Sequence, residues 1–493
     1  MNAKTTLLAL ALVGSFALGS CSGPKNRCVT NCGVTGNATV SITLYDTPPT
    51  GLTLLSFTLP VAGISLTPSS GSDVPVTTTT TSVETTRLQT DSALIADAAG
   101  VPSGSYTTLK VILGPTTATS SVFINTSGST ITWTTAPAGS CANLAVCNLP
   151  AGAIYTIAIP MTLSLSNREN QWIGLDLNLN KAITTAGGLS VDFSQPGVLT
   201  AITKARTGIP SSAVDTIEDF VGKVTAYSSG STISIQSSIS GQTITAALSS
   251  TTQYDAPDNS YSSCTAVPAC LKVGSTVSLD ALLSSSGMLV ATEVDVLDAA
   301  AVDEVEGVIY PTKTANVYGL ILADKFSASG NAVLAASTTT YGTGIFLNVG
   351  SANIFDVDKK TLTNSGFSFL GFSNSSDLLA GQMVRAQVSN VTSTNSGITA
   401  TANKLLLRFS RLAGTVSSVA SPNFNFTPPS YVSVLDTGLS LSPVAYTSSI
   451  DTAFDGVTNT ADPNFTTGTT VAIRALFLNN ALPTFAVAKV RVP

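Results

Sequence analysis

The stretch Thr39-Val40-Ser41-Ile42-Thr43-Leu44 alternates one hydroxylated residue with one apolar residue. Because successive side chains of a β-strand point to opposite faces, this period of two predicts a strand whose apolar residues enter a core. The same alternation recurs from Leu109 to Leu113 and from Ile157 to Met161, with proline and glycine between the strands. The sequence therefore predicts an all-β fold that begins with an antiparallel β-sandwich over residues 38–205.

A domain-sized repeat follows the predicted sandwich. Three strands are centred on a glycine, and each is followed by a Gly-x-x-Val pattern and then by a closing strand. The opening glycines are Gly222, Gly307 and Gly414, and the later patterns are Gly274 to Val277, Gly381 to Val384, and Gly468 to Val471. The repeat length is too long for a solenoid and predicts three tandem small β-barrel modules, at residues 217–300, 303–409 and 411–493. Each opening glycine is expected at a bulge or bend where the strand curls.

Two segments resemble uncharacterised families. The opening Ser41-Ile42-Thr43-Leu44-Tyr45-Asp46-Thr47-Pro48, together with the turn Pro102-Ser103-Gly104-Ser105-Tyr106, resembles a bacterial lipoprotein domain, the domain of unknown function four-three-eight-two. That resemblance implies a fold and a location but no activity. The Gly-x-x-Val pattern with its closing strand is clearest in residues 217–300 and resembles the domain of unknown function five-six-six-six, which implies a small OB-like barrel.

The first twenty residues have the features of a signal peptide. They carry Lys4, an apolar stretch from Leu7 to Leu18, and small residues. This stretch is shorter than the roughly 20 residues that span a bilayer. It leads to Leu18-Gly19-Ser20-Cys21, which resembles the lipobox of bacterial lipoproteins. The resemblance implies a lipid on Cys21, a tether over residues 21–37, attachment to a membrane through the lipid and, because serine follows the cysteine, passage to the outer membrane. The alternative is an ordinary signal peptide with Cys21 in a disulfide.

The cysteine count supports the lipid anchor. Seven cysteines are present, and setting Cys21 aside leaves six in three local couples. Such couples are expected to form disulfides in an oxidising compartment. The candidates are Cys28 with Cys32, Cys141 with Cys147, and Cys264 with Cys270.

Composition excludes several functional classes. The 493 residues contain no histidine, which excludes Ser-His-Asp and Cys-His catalysis and HExxH zinc sites. A net charge of −6 without a basic cluster argues against nucleic acid as a partner. Glu304 and Glu306 are two apart on a predicted strand, so their carboxylates point to the same face. They are candidates for histidine-free hydrolysis, but a solvated edge strand or an interdomain joint is the favoured explanation, because edge charges discourage aggregation between strands.

A few acidic and aromatic residues remain to be assigned. Asp451, Asp455 and Asp462 fall in one insertion of the last module and are candidate Ca²⁺ ligands, with turn formation as the alternative. No other cofactor is expected. Trp133 and Trp172 are expected in the core of the sandwich rather than on a sugar-binding surface.

These observations predict a protein that is not an enzyme. We expect a lipid-anchored lipoprotein of the cell envelope, held on the membrane by its lipid, whose domains recognise a glycan or another envelope protein. The alternatives are a structural spacer and, with the least support, a histidine-free hydrolase.

Overall fold

A computed structural model describes much of the chain from Asn37 to Val492. The described residues are 37–49, 52–90, 92–118, 120–124, 130–133, 139–143, 145–205, 216–237, 243–255, 271–283, 289–298, 302–312, 314–339, 342–350, 352, 354–359, 362, 369–395, 397–427, 444–480 and 483–492. The predicted signal peptide and tether, with Cys21, Cys28 and Cys32, lie outside these residues. Cys264 and Cys270 lie outside them as well.

The first domain is built almost entirely of β-strands, which confirms the predicted fold class. Its strands are β1 (Asn37–Thr47), β2 (Leu52–Ser56), β3 (Thr58–Pro68), β4 (Val74–Thr77), β5 (Thr81–Glu84), β6 (Ala93–Pro102), β7 (Gly104–Leu113), β8 (Ser121–Ile124), β9 (Ile131–Trp133), β10 (Gly139–Cys141), β11 (Ala145–Asn148), β12 (Tyr155–Leu165), β13 (Asn170–Asn178), β14 (Ile183–Thr184), β15 (Ser190–Val191) and β16 (Leu199–Ala205). A 3-10 helix (Thr85–Gln89) and a short helix α1 (Leu179–Ala182) interrupt them.

Two sheets share one buried core in this domain. One has the strand order β16-β13-β1-β6, and the other has β12-β7-β3-β4 with β5 also paired to β3. The sandwich is antiparallel except that β1 runs parallel to β13, with Ile42 opposite Ile173. A strand that lies between two neighbours in the middle of a sheet is shielded on both sides, so the first strand is more buried than its alternation predicts.

The hydroxylated face of β1 is buried because its hydroxyl groups have partners. Ser41 and Thr43 are both fully buried. The Ser41 hydroxyl donates to an Asp97 carboxylate oxygen at 2.6 Å, and the Trp172 indole N–H donates to the Thr43 hydroxyl at 2.8 Å. A buried polar group is tolerated when it is hydrogen-bonded. Trp172 is therefore a core residue, as predicted.

The rest of the described chain forms three barrels. Module 1 contains β17 (Thr216–Ser228), β18 (Thr232–Gln236), β19 (Thr243–Ala247), β20 (Gln253–Asp255), β21 (Thr276–Leu283) and β22 (Leu289–Asp298). Module 2 contains β23 (Glu304–Pro311), β24 (Val317–Phe326), helix α2 (Ala332–Ala335), β25 (Gly344–Asn348), β26 (Ile354–Val357), a 3-10 helix (Ser375–Asp377), β27 (Met383–Thr394) and β28 (Gly397–Arg408). Module 3 contains β29 (Ser410–Ala420), β30 (Asn423–Thr427), β31 (Val444–Asp455), β32 (Thr470–Asn479) and β33 (Pro483–Arg491).

The three modules share one strand order. In module 3 the closed ring is β29-β30-β31-β33-β32. Module 1 has the order β19-β18-β17-β21-β22 and module 2 has β25-β24-β23-β27-β28, and in each a further pairing joins the two ends. The third strand of every ring runs parallel to the last one. This arrangement is that of a small OB-like barrel.

The repeated glycines and valines occupy equivalent positions in the three barrels. Each opening glycine lies on the first strand, directly opposite the valine of the Gly-x-x-Val pattern. The pairs are Gly222 with Val277, Gly307 with Val384, and Gly414 with Val471. A Cβ on any of these glycines would collide with a backbone carbonyl oxygen of the second strand. The glycine is required because the first two strands approach too closely there for a side chain.

The glycine that begins each Gly-x-x-Val pattern also has the same role in all three modules. Gly274, Gly381 and Gly468 all adopt positive φ, at 92°, 90° and 92°. In every module its backbone N–H donates to a carbonyl oxygen of the first strand, at 2.9, 2.9 and 2.8 Å. This turn starts the fourth strand of the barrel, and glycine adopts its left-handed backbone at little cost.

Hydrophobic contacts join the four parts of the chain to one another. One buried cluster contains Leu55 and Phe123 of the first domain, Val308 and Met383 of module 2, and Phe477 of module 3. Leu94 of the first domain packs against the core of module 1. The modules therefore do not form an extended string, because both the second and the third pack back against the first domain.

Candidate functional site

A buried cluster of charges lies where module 2 meets its neighbours. At its centre is Arg385 on β27, whose guanidinium donates to Glu304 at 3.0 Å, to Glu306 at 3.0 Å and to Asp324 at 3.1 Å. Glu304 and Glu306 lie on β23 and share one face, as predicted, because both reach the same guanidinium. β23 is an inner strand between β24 and β27, so the alternative of a solvated edge strand is wrong.

The cluster connects three parts of the chain. Arg87, in the first 3-10 helix, donates to Glu306 at 3.0 Å. Lys223 of module 1 donates to Glu304 at 3.1 Å, and the Thr276 hydroxyl donates to the same carboxylate at 2.7 Å. Glu304 and Glu306 are only 1% and 2% exposed, so they form an interdomain joint and line no open cleft.

The protonation states follow from this packing. Burial alone would raise the pKa of Glu306, but the guanidinium groups of Arg408, Arg87 and Arg385 outweigh it and hold the pKa at about 2. Burial likewise opposes the effect of Arg385 and Lys223 on Glu304, yet the net pKa of Glu304 is lowered. Both groups are therefore carboxylates at neutral pH. A general acid requires the opposite shift, because it must hold its proton at the working pH.

A second polar junction joins module 3 to the first domain. Arg491, on the last strand, donates to the backbone carbonyl oxygens of Asp46, Leu88 and Gln89 at 3.2, 3.3 and 3.3 Å. Its guanidinium also lies 4.7 Å from the centroid of the Tyr45 ring, which is a cation–π contact.

Asp46 is fully buried at this junction, and neither of its carboxylate oxygens forms a hydrogen bond to the described residues. Burial raises the pKa of Asp46 well above its usual range, against weaker lowering effects of the Leu179 backbone and of Arg491. Burial also raises the pKa of Tyr45 to about 12, reinforced by the Asp176 carboxylate. The folded state therefore favours a protonated Asp46.

The first domain has a groove along one side of the sandwich. It lies between β12 and β16, which are the last strands of their two sheets in the described part of the chain. Its cavity volume is about 560 Å³, within the usual range for ligand sites. Ile157, Ile159, Phe193, Leu199 and Thr200 are among its lining residues, none of which is charged. The groove can therefore accept an uncharged ligand or an extended segment beside a strand edge.

One predicted disulfide and one predicted core tryptophan also lie in the described part of the first domain. Cys141 and Cys147 form a disulfide with a Cα–Cα distance of 5.9 Å. Trp133 is half-buried against the core of the first domain.

In the acidic insertion of module 3, the two described candidate side chains, Asp455 and Asp462, have different partners. The side chain of Asp451 lies outside the described residues. Asp455 lies 3.8 Å from Arg491, whereas Asp462 accepts hydrogen bonds from Thr458 and Asn464 and forms a turn. Across the described ranges, no three acidic or cysteine side chains are grouped to hold a metal ion.

Sequence reasoning missed the basic residues that organise both junctions. Arg385 and Arg491 each stand alone between apolar residues, in Val384-Arg385-Ala386 and Val490-Arg491-Val492. An isolated arginine in an otherwise apolar strand is a signal that could have indicated a buried ion pair, since a buried charge requires a partner.

Comparison with known proteins gives one family. Residues 37–191 match the family described as domain of unknown function (DUF4382). No curated protein matches the chain. Among solved structures, the chain is similar to drosophila Unr CSD456 at 10% identity, over 56% of this chain and 97% of that chain, with a TM-score of 0.13. A superposition this loose says nothing about function. None of the described helices is both long and apolar enough to cross a membrane.

Proposed function

We propose that this protein is a non-catalytic lipoprotein of the cell envelope, attached through a lipid on Cys21, that binds a glycan or another envelope component. The observation that carries the proposal is the uncharged groove between β12 and β16. The carboxylates considered for hydrolysis are instead engaged with arginine and lysine at a buried joint.

The packing of the modules supports binding over a spacer role. A spacer needs its domains arranged end to end, whereas here module 3 contacts the first domain through Arg491 and through a shared hydrophobic cluster. Rigid domains that are fixed to one another can hold a groove in one shape. Such preorganisation reduces the entropy lost when a ligand binds.

The groove can be tested by filling it. Thr200 is exposed on β16 and lines the groove, so Thr200→Trp should obstruct it, while Thr203→Trp places the same bulk on the same strand outside the lining. The full chain, purified in detergent, would be immobilised and exposed to envelope extract. Retained material that is lost with Thr200→Trp and kept with Thr203→Trp supports the proposal. Equal retention by both variants, or none by the unaltered protein, contradicts it.

The anchor has its own test. Cys21→Ser removes the thiol that would carry the lipid, so the protein should move from the membrane fraction to the soluble fraction of cells. Incorporation of a labelled fatty acid into the protein would detect the lipid directly. A Cys21→Ser protein that still sediments with membranes would refute lipid attachment at this residue.

A further inference from the structure

The outer face of module 2 carries a partly exposed aromatic ring beside a row of hydroxyl groups. Phe346 lies on β25 and is 37% exposed, while the alternate residues Ile345 and Leu347 fill the core. Opposite Phe346 on the parallel strand β28 is Thr399, which in turn lies opposite Thr392 on β27. The two threonine hydroxyls are 2.9 Å apart and hydrogen-bonded. This first row therefore presents one ring beside a pair of hydroxyl groups.

A second row of polar side chains lies next to the first. Asn348 on β25 is opposite Thr401 on β28, and Thr401 is opposite Ser389 on β27. The Ser389 hydroxyl donates to the side-chain oxygen of Asn403 at 3.2 Å, which directs a hydroxyl and an amide to one place. The two rows contain aromatic, hydroxyl and amide groups and no charged side chain. We refer to these rows, with Asn403, as the Phe346 platform.

Two glycines flank the Phe346 ring. Gly319 lies beside Phe346 on β24, and Gly397 is so close that a Cβ there would lie 3.2 Å from the ring. Neither glycine has a side chain that could cover Phe346. The half-buried Tyr310 ring lies over Gly319 and occupies the space that a side chain there would need. More than a third of Phe346 is open to solvent beside these hydroxyl and amide groups, and together they form a candidate contact surface.

The chemistry of the platform matches a neutral sugar. A pyranose ring has an apolar face of C–H groups and a rim of hydroxyl groups. The aromatic ring offers an apolar plane for that face, and the threonine, serine and asparagine groups can donate to and accept from the rim. An acidic polysaccharide would need a basic partner to offset its desolvation, and neither row supplies one.

We infer that the Phe346 platform binds a neutral oligosaccharide. The platform consists of one aromatic ring among hydroxyl and amide groups. A stable interface between two copies of the chain would need a larger apolar area than this. The inference goes beyond the proposed function, since the platform lies on module 2 and does not include the groove of the first domain.

The test uses affinity electrophoresis of the full chain through native gels that contain dextran, mannan or laminarin, which are neutral, or alginate, which is acidic. At least one neutral polysaccharide should retard the unaltered protein, and Phe346→Ala should weaken that retardation by about tenfold. Leu370→Ala removes a similarly large apolar side chain that is 80% exposed and is the matched control. Thr399→Val keeps the shape of the platform and removes one hydroxyl, so it should weaken retardation by a smaller factor.

The outcomes of this test can be told apart from those of the groove test, because each test uses its own variants. Retardation by a neutral polysaccharide that Phe346→Ala abolishes and Leu370→Ala leaves intact supports the platform. Retardation that Phe346→Ala does not change overturns the platform and leaves the proposed function standing. Failure of every neutral polysaccharide, or retardation by alginate alone, overturns it as well. A circular dichroism spectrum like that of the unaltered protein excludes misfolding of Phe346→Ala.

Discussion

Glu306 on β23 lies directly opposite Arg385 on β27, and a carboxylate oxygen of the first accepts a hydrogen bond from the second at 3.0 Å. Both side chains point away from the core of their own barrel and are buried only because other domains cover them. The pair is therefore formed within module 2 but depends on module 1 and the first domain for its burial.

The loss of one charge from this cluster should destabilise the protein strongly. Glu306→Gln keeps the shape and removes the negative charge that faces Arg87, Arg385 and Arg408, so buried cations lose their partner. We expect the free energy of unfolding in urea to fall by about 3–5 kcal/mol. The exposed ion pair of Lys110 and Asp73 is the control, and Asp73→Asn should produce no measurable change. Equal effects of the two substitutions would contradict the central role of Glu306.

The same cluster should make the protein sensitive to acid. The pKa of Glu306 is about 2 in the folded protein and 4.5 ordinarily, so its carboxylate stabilises the fold fully above pH 4.5. That contribution is lost as the pH falls from 4.5 towards 2. Urea unfolding measured across this range should show a steeper loss of stability for the unaltered protein than for Glu306→Gln. Parallel curves would show that Glu306 titrates alike in both states.

Asp46 should have the opposite effect. Its pKa is raised by burial, so its contribution to stability is present below the usual value of 3.8 and is lost as the pH rises through the raised pKa. Asp46→Asn removes the ionisable group, so at neutral pH it should increase the free energy of unfolding. Titration of the Asp46 carboxyl by NMR would check the direction. A pKa at or below 3.8, or a destabilised Asp46→Asn, would contradict the prediction.

The opening glycines should not tolerate a side chain. In Gly307→Ala the new Cβ would collide with the Ile321 carbonyl oxygen, so the first two strands of module 2 must separate. The expected cost is about 1–3 kcal/mol in thermal or urea unfolding. Gly344→Ala is the control, because no heavy atom lies within 4 Å of its Cβ position, and it should change stability by less than about 0.5 kcal/mol.

Local patterns in the sequence predicted the class of the fold and its repeat. The glycine and valine that recur in each module indicated a common barrel, because a glycine is required wherever two backbones meet closely. Alternation in Thr39 to Leu44 indicated a strand but could not identify its neighbour. The parallel partner β13 begins at Asn170, and no local pattern encodes which distant strand completes a sheet.

The candidate sites were harder to predict for a related reason. Whether Glu304 and Glu306 face solvent depends on how the domains pack, and Arg87, which pairs with Glu306, comes from a different domain. The Phe346 platform is formed by strands that are adjacent in the barrel but distant in the chain. Spacing along the sequence predicted that the two glutamates share a face, yet it could not predict what covers that face.

Arg491 on β33 contacts Asp46 on β1, and the two residues are 445 positions apart in the chain. The strand that carries Arg491 is therefore synthesised long after the strand that carries Asp46. A fragment that lacks β33 would leave the carbonyl oxygens of Asp46, Leu88 and Gln89 without the Arg491 donor. Its third barrel would also lack one strand. The edges of β31 and β32 that pair with β33 would then be open, and an open strand edge favours aggregation or proteolysis of such a fragment.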